Sequence, residues 1–236
     1  MPSNDLNPGF PSTLLPAEDS LRWKGMDRLR SACLGMMLFN IDALSPLPEK
    51  LFTPREMARA QGMGERRRKS FTAARLALKR LARRLTLVEE DRPDPAIETL
   101  AADDVKPCLA ESRLYCSVSH TAQFVVAVAH DHPVGVDLEV ISNKPVRSWH
   151  IFTAPGERGL LALSGLGPER TAIRAWTIKE AAAKALGLDL FQVMREVEVV
   201  RLAEEDGVMK YREKYYPVRH AEGDGHVITL ITFDGT

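Results

Sequence analysis

The 236-residue chain lacks an excess of charge of either sign: 32 Lys and Arg stand against 32 Asp and Glu. A balanced surface creates no global field toward nucleic acid or membrane. It has few cysteines, only Cys33, Cys108 and Cys116, with no C-x-x-C pairing, which argues against a zinc site and a disulfide framework and suits a reduced, cytoplasmic setting. It also lacks an apolar run long enough to span a bilayer. The longest, Ala32 to Ile41, follows Arg28 and Arg30 but begins too deep for a signal-peptide core and is trailed by Asp42 and Pro46; its length predicts a buried strand.

What is present suits one large or two small domains of mixed structure. Residues 1–20, rich in Pro, Ser, Asn and Asp, read as a loosely held extension. Leu34–Asp42 reads as a strand. Thr53-Pro54 reads as a helix start, with Thr as cap and Pro in the first turn. Over Ser70–Leu85 the apolar residues Phe71, Ala74, Leu78, Leu81 and Leu85 keep helical spacing, with Arg75, Lys79, Arg83 and Arg84 on other faces. Residues 89–112 read mostly as loop. Leu114–Val118, Phe124–Ala129 and Val134–Val140 read as strands, then Pro155–Leu163 and Ala172–Leu186 as helices, the second closed by Gly187. Val197–Leu202, Val208–Arg212 and Val227–Phe233 read as closing strands, with a turn at Asp206-Gly207. Without regular βαβ alternation the class is α+β. Phe71, Arg75 and Lys79 recur as Trp176, Glu180 and Lys184 at one constant offset, a faint echo that fits either chance or two similar halves.

Two acidic segments carry the chemistry. Strand alternation puts Asp137 and Glu139 of Gly135-Val136-Asp137-Leu138-Glu139 on one face. Helical spacing puts Glu180 and Lys184 of Trp176-Thr177-Ile178-Lys179-Glu180-Ala181-Ala182-Ala183-Lys184 on one face. If strand and helix meet, three hard oxygen ligands converge beside a cation, which suits Mg²⁺ holding phosphate oxygens; Mn²⁺ takes similar ligands. Taken singly, each pair is also the ordinary pattern of a solvated strand or helix face. Ser117-Val118-Ser119-His120-Thr121 falls where a strand ends, where small hydroxyls and a histidine can donate to phosphate oxygens, and equally reads as a polar turn. Arg59, Arg75 and Lys106 are candidate phosphate ligands. The basic run Arg66–Lys69 with the Arg75–Arg84 helix could contact nucleic acid, but apart from Phe71 it lacks aromatics for stacking.

The order of these segments, Lys106-Pro107, Ser119-His120-Thr121, Gly135 through Glu139, then Trp176 through Lys184, resembles the 4′-phosphopantetheinyl transferases of the larger, Sfp-like type. Phe71-x-x-x-Arg75-x-Ala77-Leu78 resembles the family's N-terminal helix, and Ile151-Phe152-Thr153 with Glu157 a weaker motif. The resemblance covers roughly residues 34 to 233. Val105 replaces the glycine usual before Lys-Pro, and Thr121 and Thr177 stand where Ser is common. Arg55 rivals Arg59, because spacing there varies in the family.

The resemblance implies a pseudo-dimer of two α+β halves, each a long helix on a small sheet, with coenzyme A between them. The expected divisions are an N-terminal extension to residue 30, a first half over 31–131, and a second half over 132–236 that carries the metal site. It implies transfer of the phosphopantetheine arm to a serine of an acyl or peptidyl carrier protein, with release of adenosine 3′,5′-bisphosphate. Asp137, Glu139 and Glu180 would ligate Mg²⁺, Glu180 and Lys184 would be catalytic, and Arg59, Arg75, Lys106, Ser119 and His120 would hold coenzyme A. A cytoplasmic monomer without membrane or nucleic-acid partners is expected. The rivals are a coenzyme-A-binding relative without transfer activity and a nucleic-acid-binding protein.

Overall fold

The computed structural model describes residues 23–44, 47–103, 106–109 and 112–234. The described chain opens with α1 (Met26–Ser31) and β1 (Gly35–Asn40), followed by α2 (Pro54–Gln61) and the long α3 (Glu65–Arg84). Next come β2 (Tyr115–His120), β3 (Phe124–His130) and β4 (Val134–Val140). Three short helices, α4 (Lys144–Arg147), α5 (Trp149–Phe152) and α6 (Leu160–Leu163), lead to the long α7 (Pro168–Leu186) and α8 (Leu190–Glu196). Strands β5 (Val197–Leu202), β6 (Asp206–Tyr211), β7 (Lys214–Gly223) and β8 (His226–Thr232) complete the chain.

All strand pairs are antiparallel, in two sheets ordered β1-β3-β2 and β4-β8-β7-β6-β5. The fold is α+β. Helix α3 covers the first sheet, burying Leu78 and Leu81 with Phe39, Val125 and Ala127. Helix α7 covers the second, burying Ile178 and Ala181 with Val199, Met209 and Ile231. A third core lies between the sheets, where Met36, Leu38 and Val126 meet Val136, Leu138 and Ile228. Strand alternation makes this possible: one face of β1, β3 and β4 serves its own helix, the other the opposite half.

The halves repeat at a spacing of 100 residues, or 101 at the Glu56/Glu157 pair, not at the offset of the Phe71/Trp176 echo. The Lys79 ammonium is buried against Glu56 (3.0 Å) and the Ile97 carbonyl (2.5 Å). Lys179 is buried against Glu157 (2.7 Å) and the Val197 carbonyl. In both halves the glutamate caps the segment after a Phe-Thr pair: Glu56 accepts the Thr53 N–H, and Glu157 accepts the Ala154 N–H. Gly35 packs on α3 at Leu81, and Gly135 packs on α7 at Ala181.

Several elements depart from the sequence reading. Arg75 and Lys79 are buried rather than on outward faces, because each finds polar partners inside. Arg80 and Arg83 pair with Asp94, and Lys69 with Asp42, so much of the basic stretch is engaged within the chain. Strand β7 lies in a stretch rich in Lys, Tyr and Arg that hides its alternation. The turn expected at Asp206-Gly207 falls just before it, and both residues lie in β6. Of the residues assigned to the N-terminal extension, those from Trp23 onward are ordered, with Trp23, Met26 and Leu29 buried between the sheets. Val105 lies outside the described residues, as do residues 1–22 of the extension. No helix among the described residues is long and apolar enough to cross a membrane.

Candidate active site

The site begins at a glycine. On β4, alternation puts Gly135, Asp137 and Glu139 on the face that meets α7. A Cβ at Gly135 would collide with the Ala181 carbonyl, so the helix backbone lies directly on the strand. That closeness lets Lys184, one turn further along α7, reach back to β4. Its ammonium lies 2.7 Å from Asp137 Oδ1 and 3.1 Å from the Val136 carbonyl.

The first half supplies the other wall. Ser117 and Ser119 project from the same face of β2. Ser117 Oγ accepts the Val136 N–H at 3.1 Å, and Ser119 Oγ donates to Asp137 Oδ1 at 2.9 Å while accepting from Lys184 at 3.0 Å. The sequence reading places Ser117 among small hydroxyls that could donate to phosphate; its oxygen instead accepts a backbone N–H across the halves, which the S-x-S spacing on one strand could have signalled. Strand β2 extends through His120, so Ser119 and His120 are strand residues rather than the start of a turn.

Asp137 is 4 % exposed, and its Oδ2 has no hydrogen-bond partner. An orphaned carboxylate oxygen in such a place costs free energy unless something fills its valence. Glu139 is pushed up to about 7, chiefly by burial and then by the neighbouring Asp137 and Glu180 charges. Glu180 is raised by burial and by Asp137, with Lys184 opposing. The Asp137 charge thus bears on both glutamates, and the Glu180 charge on Glu139. They do not form a closed ligand set as they stand: among the described residues no three His, Cys, Asp or Glu side chains are gathered to hold a metal ion, and Asp137 Oδ1 is occupied by Lys184 and Ser119. The donor set itself, hard carboxylate oxygens with one buried oxygen unpartnered, fits a divalent cation of the Mg²⁺ type.

His120 stands at the open end of β2, its pKa lowered by burial and by Lys184. Arg75 is buried; it donates to the Thr99 carbonyl at 2.7 Å, lies 5.1 Å from the Phe71 ring centroid, and leaves Nε without a partner. Its pKa is lowered, first by burial, with nearby Arg59 adding to the effect and Glu56 opposing it. Arg59 is half-buried on α2. Arg55 is held by the Ala101 carbonyl (2.8 Å) and Glu98 (3.7 Å). Lys106 is exposed on a short hairpin, where Leu100 pairs with Pro107 and the Cys108 N–H meets the Thr99 carbonyl. That hairpin therefore ties Lys106 to the backbone that holds Arg75.

Three further motif residues serve the scaffold. Trp176 packs edge-on to Phe152 at 5.2 Å. Glu157 is fully buried, accepting the Val199 N–H and pairing with Lys179. Thr177 is buried and bonded to Thr229 at 2.6 Å.

The first-half serines and the second-half acids and lysine thus meet at one junction, in the chain order serine, acid, lysine. By comparison, residues 133–231, which span β4 and nearly all of β8, match the model of the 4′-phosphopantetheinyl transferase superfamily. The matched stretch contains Asp137, Glu139, Glu180 and Lys184. No curated protein matches the chain.

Proposed function

We propose that the protein transfers the 4′-phosphopantetheine arm of coenzyme A to a serine of an apo-carrier protein, acyl or peptidyl, and releases adenosine 3′,5′-bisphosphate. The observation that carries this reading is the junction at Asp137. One carboxylate oxygen is clamped by a lysine of the second half and a serine of the first; the other is buried and unpartnered.

Asp137, Glu139 and Glu180 would hold Mg²⁺ or Mn²⁺. When bound, the ion draws charge from the pyrophosphate of coenzyme A. The chain's own residues do the rest. Ser119 and His120 of the first half hold the nucleotide phosphates, with His120 on the 3′-phosphate side. Arg75, Arg59 and Lys106 add positive charge there. Glu180 takes the proton as the carrier serine oxygen bonds to the phosphorus bearing the pantetheine arm. The bond from that phosphorus to the nucleotide phosphate breaks, and Lys184 neutralises or protonates the leaving group. Coenzyme A lies in the cleft between a first half over 31–131 and a second over 132–236, in a monomer acting in the cytoplasm.

The test is a panel of apo-carriers, from fatty-acid, polyketide and nonribosomal-peptide systems, incubated with coenzyme A and Mg²⁺ and read by mass. Addition of the arm to at least one carrier is expected. Bound coenzyme A with no addition to any carrier would leave a coenzyme-A-binding relative without transfer activity.

A further inference from the structure

We propose that His226, clamped by Trp23, is a positioning residue for the nucleotide end of the site. It acts through Thr121, which directly follows Ser119 and His120. The proposal rests on the assignment of those two residues to coenzyme A.

The Thr121 hydroxyl oxygen accepts the N–H groups of Gln123 and Phe124, both at 3.2 Å. Both of its lone pairs are thereby used, so its proton goes to His226 Nε2, 3.3 Å away. That assigns the tautomer: Nε2 accepts, and Nδ1–H donates to the Asp224 carbonyl at 2.7 Å. The imidazole is held on its other sides. The Trp23 ring stacks on it, with centroids 6.1 Å apart and planes 22° from parallel, and Phe124 meets it edge-on at 5.0 Å. Trp23 is fixed by its own N–H to Asp224 Oδ2 at 3.1 Å. It lies so close to Gly223 that a Cβ there would overlap the indole.

Three distant pieces of chain therefore converge on one turn: the segment before α1, the Thr121–Phe124 turn of the first half, and the β7–β8 hairpin tip of the second. Everything that fixes His226 fixes the end of β2. Ser119 and His120 need that fixing, because groups that bind phosphate act through placement, and a small displacement weakens each bond they make.

The experiment replaces His226 by Ala and by Gln in the full chain. Backbone amide exchange of Gln123 and Phe124 is measured in the free protein, and kcat and KM for coenzyme A are measured with a carrier that the wild type modifies. His226→Ala should speed the exchange and raise KM about tenfold, the scale of one lost hydrogen bond, with kcat little changed. His226→Gln keeps an acceptor for the Thr121 proton and should recover most of the loss. Thr121→Val should reproduce the KM effect, and the double variant should add little to it. Faster exchange with unchanged KM, or a His226→Gln variant no better than His226→Ala, would overturn the positioning role; so would unchanged exchange in His226→Ala, or in Thr121→Val if His226→Ala does not fold. A wild-type chain that neither binds nor uses coenzyme A would instead sink the functional reading, and amide exchange would still decide whether His226 holds the turn.

Discussion

Lys184 stands to Asp137 as Arg84 stands to Met37. Lys184 Nζ lies 2.7 Å from Asp137 Oδ1. One hundred residues earlier, on the matching helix and strand, Arg84 Nη1 lies 3.9 Å from Met37 Sδ. An ion pair in one half answers a pair with no carboxylate in the other.

Asp137→Ala should abolish transfer and leave the fold intact. It removes the carboxylate that carries the orphaned oxygen, and the lysine left behind is 30 % exposed and can be hydrated. A fall of about a thousandfold or more in kcat/KM, the scale of losing a main electrostatic group, should accompany a nearly unchanged melting temperature. Arm transfer read by mass and thermal unfolding by circular dichroism check both halves of the statement; an active variant would refute the metal assignment.

Lys184→Ala should slow turnover more than it weakens coenzyme A binding, because the proposed role is at the leaving group. Steady-state kinetics beside a calorimetric dissociation constant separate the two. A variant with normal kcat and poor binding would make Lys184 a binding residue.

Gly135→Ala and Gly35→Ala should differ in cost. The first sets a Cβ against the Ala181 carbonyl, a backbone atom that moves only with its helix. The second meets Leu81 Cδ1 and the Leu85 side chain, which can turn aside. Overpacking of the first kind costs about 1–3 kcal/mol. It should also lower activity, by lifting α7 and Lys184 off β4. Denaturant midpoints of the two variants, with transfer rates, test this; equal losses would contradict it.

Lys179→Ala should destabilise by about 3–5 kcal/mol, since it strands a fully buried Glu157 carboxylate. Lys79→Ala should do the same through Glu56. In each half, neutralising the glutamate as well should return part of the loss. Urea unfolding of the single and double variants gives the comparison.

Acid should weaken the fold through His220. The ring is fully buried, and burial, with the Arg174 charge nearby, holds its pKa well below the ordinary histidine value. The folded protein keeps it neutral, so below about pH 6.5 the unfolded chain binds the extra proton. Stability is fully present above that pH and falls as pH drops, by at most about 1.4 kcal/mol per pH unit from this one group. His220→Asn should flatten the slope of unfolding free energy between about pH 6.5 and about pH 5; an unchanged slope would reassign the effect.

Much of this is legible in the chain. Alternation on β4 and helical spacing on α7 put Asp137, Glu139, Glu180 and Lys184 on their faces from the sequence alone, and the Thr53-Pro54 start appears as a full capping box. What pattern cannot supply is partners across space. Arg75 and Lys79 look like surface charges in sequence and are interior, because the carbonyls that satisfy them lie in a stretch with no period of its own. Likewise Ser117 and His226 are ordinary residues in sequence, and gain meaning only from a strand or turn in the other half. The true repeat is hidden because its markers, Glu56 with Lys79 and Glu157 with Lys179, are scaffold residues, while the visible echo is carried by residues of unlike role.

Met37 and Phe39, lying where the second half has Asp137 and Glu139, offer a thioether and a ring instead of oxygens. Under the proposed chemistry each polypeptide then carries a single centre of turnover. On that proposal the first half would serve as architecture, lending its serine and arginine to the cleft, and saturation should come at one coenzyme per chain.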